Sequence, residues 1–141
     1  MSKIDDMMYI EIGGKYKREE LPQIPNDKIE EFLDFCKNVR GKQVWSATPK
    51  FYKGIKPSQD KVLRKKVALK RLKIEQHRQT RPHKIFITTR NLELLDGHHT
   101  WYSWDHKLSD SFMDYTVECC GVDCSIEELI QLGHDFNLLG E

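Results

Sequence analysis

The stretch from Lys84 to Lys107 most narrows what this chain can fold into. Lys84-Ile85-Phe86-Ile87-Thr88 is β-branched and aromatic, the composition of a strand. Arg90-Asn91 makes a turn, and Leu92–Leu95 returns as a second strand. Asp96-Gly97 ends that strand, and His98–Lys107 has helical character, with Trp101, Tyr102 and Trp104 on it. A strand, a glycine and a helix with polar residues in its first turn form an arrangement suited to anions. The first-turn N–H groups lack intrahelical acceptors, and the positive end of the helix dipole adds to their pull. Gly97 lets the backbone turn sharply and keeps side-chain bulk away from a ligand. The sequence therefore points to a phosphate- or nucleotide-binding turn within Leu94–Trp104.

Within that turn, His98 and His99 can donate to phosphate oxygens or exchange protons near neutral pH. Asp96 can orient a histidine, accept a substrate proton, hold magnesium, or act simply as an N-cap. Adjacent helical residues diverge by about 100°, so at most one of the two histidines is expected to face a ligand. Trp101 and Trp104, three apart, have the spacing of a core face.

The rest of the chain supplies a frame. Residues 1–25 carry Gly13-Gly14, Pro22 and Pro25 among scattered charges and read as an irregular arm with a short strand at Met8–Ile12. Residues 26–141 read as one domain, a size that sustains its own core. A helix is expected from Asn26 or Asp27 to Gly41, with Ile29, Phe32, Leu33, Cys36 and Val39 as its apolar stripe. Gln43–Ala47 is strand-like until Pro49 interrupts it. Lys56–Asp60 reads as a turn into a helix over Lys61–Gln79, capped by Ser58 or Asp60. Tyr115–Val122 is strand-like, and Ser125 with Glu128 opens a closing helix with a capping box.

Charge and cysteine content remove several function classes. Lys and Arg number 23 against 22 Asp and Glu, a net charge of +1, which argues against a surface that is one DNA-binding field. A local basic patch remains, because Lys61–Lys84 is rich in Lys and Arg and holds a single acid, Glu75. That segment is either a solvated helix face or a cationic wall facing phosphates. No apolar run has the roughly 20 residues of a spanning helix. MSKIDDMMYIEIGG lacks the apolar core of a secretion signal, so a cytoplasmic protein is expected. Cys36, Cys119, Cys120 and Cys124 are then reduced thiols. Three of them with His134 fit no usual zinc spacing.

The succession KPSQ (56–59), IFIT (85–88), LLDGHHTW (94–101) and IEELIQLGHDF (126–136) resembles the ParB/sulfiredoxin-like superfamily. It is most similar to the small phage proteins labelled ParB-like nuclease domain, which carry DGHHRW after paired strands. Leu21-Pro22-Gln23-Ile24 is similar to the lead-in of some of these proteins. The resemblance implies an α+β fold, a short mixed sheet flanked by helices in a single domain, binding nucleotide phosphates at this turn. It makes Gly97 the invariant glycine, His99 the phosphate-contacting histidine and Asp96 the counterpart of a kinase's Asp. Ser58 and Gln59 fall in the earlier turn that borders the nucleotide.

Three functions follow as expectations. The first is binding of ATP or CTP with Mg2+, with hydrolysis or phosphoryl transfer by Asp96, His99 and His98, and phosphate contacts from Gly97, Thr100, Ser58, Gln59 and Lys84. The second is a DNA-binding or nuclease module using the basic 61–84 segment. The third is a non-catalytic phage accessory protein that binds a host factor. Thr100 stands where the superfamily has a phosphate-binding Arg, so another cation must substitute or catalysis is lost; Lys61–Lys73, Arg81 and Lys84 are the available sources. No Cys occupies the turn, which argues against sulfiredoxin chemistry.

Overall fold

The computed structural model describes residues 7–51, 54–79, 82–107 and 116–140. Its centre is a five-stranded mixed sheet in the order β2-β7-β5-β6-β3, built from Val44–Phe51 (β2), Lys56–Pro57 (β3), Phe86–Thr89 (β5), Glu93–Asp96 (β6) and Thr116–Val122 (β7). β5 and β6 form the expected antiparallel hairpin; β7 runs parallel to β5, and β3 parallel to β6. A separate antiparallel pair joins β1 (Tyr9–Glu11) to β4 (Lys61–Leu63). The helices are α1 (Ile29–Asp34, continued as a π-turn over Phe35–Val39), α2 (Arg64–Gln76), α3 (His98–Lys107) and α4 (Ile126–Leu139). The α+β class with a mixed sheet is therefore as expected.

Side-chain alternation along the central strands divides the interior into two cores. Ile87, Leu95, Cys120 and Val122 point to one face and meet Phe32, Cys36 and Leu129 of α1 and α4. Phe86, Leu94, Val117 and Cys119 point to the other and meet Ile74 of α2 and Trp104 of α3. Cys119 and Cys120 thus sit in opposite cores. The arm belongs to the first core, since Leu21 and Ile24 are buried in it. Pro22 seats so closely on α4 that a Cβ at Gly133 would lie 2.3 Å from its ring.

The differences from the sequence reading have local causes. Pro49 lies inside β2 and does not end it, because β2 is an edge strand paired only with β7. The helix expected from Lys61 starts at Arg64, because Lys61–Leu63 pairs with β1. Neither Ser58 nor Asp60 caps it; the N-cap position is Leu63, without a side-chain bond. Asn26 does not cap α1 either. Its amide bridges to the His83 carbonyl and the Ile85 N–H, fastening the start of α1 to the approach to β5. The π-turn breaks the 3.6-residue phase, and Val39 is exposed. Gly41, with φ +68°, ends the element as expected. Ser125 caps α4 by accepting from the Glu128 N–H at 3.1 Å. Tyr115, expected at the start of β7, lies outside the described residues.

Candidate functional site

β6 delivers its last residue, Asp96, to the rim of a cavity, and Gly97 turns the chain into α3. Gly97 has φ +101°, a conformation that other residues rarely adopt, and a Cβ there would stand 3.0 Å from the Phe86 ring. The first α-helical bond of α3 runs from the Trp101 N–H to the Gly97 carbonyl at 2.8 Å. The amides of His98, His99 and Thr100 therefore precede any intrahelical acceptor. The cavity in front of them has a volume of about 390 Å³, within the range of small-molecule sites. Arg18, Lys66, Lys70 and Lys84 line it, with Asp96 as the one acid among the described lining residues.

The two histidines play the same part in different places. His98 is 3% exposed, and its Nε2 accepts from the Ser58 N–H at 3.0 Å and the Gln59 N–H at 3.1 Å. His99 Nε2 accepts from the Leu63 N–H at 3.0 Å. A backbone N–H can only donate, so each ring is neutral with its proton on Nδ1. Burial lowers the His98 pKa to about 3, with His99 adding to the effect. Burial also lowers His99 to about 4, followed by the charges of Lys66, Arg18 and Lys70. Sequence reasoning expected at most one imidazole to face a ligand, with the other meeting core or solvent. Both are fastened to the 58–63 segment, and both also line the cavity.

Ser58 and Gln59 separate in role. Ser58 donates its hydroxyl proton to the Leu94 carbonyl at 2.5 Å, is buried, and is not part of the cavity wall; it braces β6. Gln59 does line the cavity, and its side-chain amide donates to the Lys61 carbonyl at 2.6 Å. The 58–60 segment is held from behind by the arm. Gly14 and Tyr16 donate to the Gln59 and Ser58 carbonyls, and a Cβ at Gly14 would lie 2.2 Å from the Ser58 backbone.

Asp96 is not the N-cap of α3. Its Oδ1 accepts from the Gly97 N–H at 2.8 Å, and its Oδ2 accepts from the Ile24 N–H at 2.9 Å. The Lys84 ammonium lies 3.2 Å from Oδ2 and also donates to the Ile24 carbonyl at 2.5 Å. Asp96 and Lys84 together clamp the arm onto the turn. Each Asp96 oxygen faces a backbone donor, and Oδ2 also neighbours the Lys84 ammonium. Among the described residues, no group of three or more His, Cys, Asp or Glu is arranged to hold a metal ion.

Sequence reasoning missed Arg18, which lies in a segment read as an irregular arm and carries no local signal of its destination. Lys66 and Lys70 fall within the basic segment singled out beforehand, and Arg81 lies outside the described residues. Lys70 shows how crowded the positive charge is: its pKa is lowered by burial, then by Lys73 and Lys66, with Asp96 opposing. The basic segment is thus divided. Lys66, Leu69 and Lys70 line the cavity, while Leu72, about half exposed, marks the side of α2 nearer solvent. No helix is long and apolar enough to cross a membrane among the described residues. Compared with known proteins, the chain matches no family model, no curated protein and no solved structure.

Proposed function

We propose that this protein binds a nucleotide, or another phosphorylated small molecule, by its phosphates in the cavity before α3. The observation that carries the reading is that Arg18, Lys66, Lys70 and Lys84 line one cavity together with His98, His99 and Thr100 of the first turn. Four cations meet one carboxylate there, and that carboxylate is already paired with Lys84. An anion is what such a site lacks. The reading agrees with the resemblance to the ParB/sulfiredoxin-like superfamily. Where that superfamily has an Arg after the second histidine this chain has Thr100, and Arg18, Lys66 and Lys70 supply the missing positive charge.

The reading favours binding over hydrolysis or transfer. An imidazole protonated on Nδ1 and accepting at Nε2 has no lone pair left for a substrate proton, and this describes both His98 and His99. Magnesium, on this account, arrives with the phosphates and is not held by Asp96.

Calorimetric titration with ATP, CTP and GTP, with and without magnesium, tests the proposal. Lys70→Gln should weaken any binding about tenfold or more, the scale of one lost charge-assisted contact. His99→Ala is the poorer probe, because it also frees the Leu63 N–H. No binding at millimolar nucleotide, or binding that Lys70→Gln leaves unchanged, rejects the site.

A further inference from the structure

The cavity before α3 does not end at its own rim. Lys70, Lys84 and Thr100 form a wall that it shares with a second cavity of about 210 Å³, whose other lining residues include Lys73, His83 and Trp104. Arg18 and His99 are shared with a third cavity of about 560 Å³. The two neighbours differ in charge. The third cavity mixes Lys17 and Lys61 with Glu19 and Asp60, so charges of both signs meet there. The second contains Lys70, Lys73 and Lys84 and no acid among its described lining residues.

Lys66, Lys70 and Lys73 stand four and three residues apart on α2, the spacing that places side chains beside one another on a helix. Like charges at that spacing repel, and Lys73 is the leading charged neighbour acting on Lys70. One phosphate in the central cavity faces Arg18, Lys66 and Lys70, and leaves Lys73 on the far side of the shared wall without an anion.

Resting on the phosphate-binding reading above, we infer that the ligand carries a second phosphoryl group, which occupies the cavity bounded by Lys70, Lys73 and Lys84. The two phosphoryl groups are separated by a linker, as the 5′ and 3′ phosphates of one nucleoside are. Two sources present such a pair: a free nucleoside bisphosphate, and successive phosphates of a single strand.

The test compares thymidine 5′-monophosphate, thymidine 3′,5′-bisphosphate and short oligothymidylates by calorimetry, on the wild-type protein and on Lys73→Gln. Lys73 is exposed, so its replacement spares the fold. The bisphosphate should bind at least tenfold more tightly than the monophosphate. Lys73→Gln should remove that advantage while leaving monophosphate affinity within about twofold. A strand is the source if affinity and salt dependence rise with oligothymidylate length; a free nucleotide is the source if only the bisphosphate gains. Equal binding of mono- and bisphosphate, or a uniform loss of both in Lys73→Gln, overturns the inference and leaves the central site standing. Failure of the monophosphate and of every nucleoside triphosphate to bind rejects both.

Discussion

Replacing His98 by Gln should flatten the acid side of the stability curve. His98 is neutral in the fold, and its pKa is lowered from 6.5 to about 3 by burial. In the unfolded chain the same imidazole takes up a proton as pH falls below 6.5. The unfolded state then binds more protons than the folded one, so stability is full above pH 6.5 and is lost progressively toward pH 3. Between pH 7 and pH 5 this residue alone should withdraw about 2 kcal/mol, from the two pKa values and roughly 1.4 kcal/mol per pH unit. Glutamine can still accept from the Ser58 and Gln59 amides through its side-chain oxygen but does not titrate. It should lower stability at pH 7, because an imperfect fit leaves a buried donor short of a partner at about 1–3 kcal/mol. Urea denaturation of both proteins at pH 7 and pH 5 isolates the effect, since His99 and the carboxylates titrate alike in each. The wild type should lose about 2 kcal/mol more than the variant across that interval. Equal losses would refute the claim that the fold holds His98 as a neutral acceptor.

Other substitutions and reagents address the frame of the site. Gly97→Ala should cost about 1–3 kcal/mol in chemical denaturation, because φ +101° and the Phe86 ring at 3.0 Å leave no room for a methyl group; an unchanged midpoint would contradict the turn geometry. Leu129→Ala, at a fully buried position between α4 and the sheet, should cost about 2–5 kcal/mol by the same assay. Burial raises Cys36 and Cys120 to about 12, and Cys119 and Cys124 to about 11. At pH 8 the native thiols should therefore react slowly with a thiol reagent and rapidly once denatured, because the thiolate is the reacting form. Fast labelling of all four in the native protein would refute this.

Much of this site could be read from residue order, and the remainder has identifiable causes. The span His98–Lys107 and the Ser125 cap depend on neighbours within four residues, and both stand where their local chemistry puts them. The hairpin of β5 and β6 was visible for the same reason. β3 and β4 are two and three residues long, too short for a period-two pattern, and exist only because β6 and β1 lie beside them. Ser58 was expected at the phosphates, yet the Leu94 carbonyl and the His98 ring draw it into the interior. Arg18 reaches the turn because Ile24 is clamped between Asp96 and Lys84, contacts 60 or more residues apart in sequence that no local pattern encodes.

The most direct test of the account is a backbone amide NMR titration with CTP or ATP in the presence of magnesium. Binding by the proposed geometry should shift the amides of His98, His99 and Thr100 first and most. The Lys70 side-chain pKa should rise toward its ordinary value as the anion offsets Lys66 and Lys73. Shifts confined to the outer face of α2 around Leu72, or none at millimolar nucleotide, would contradict a phosphate site at the start of α3.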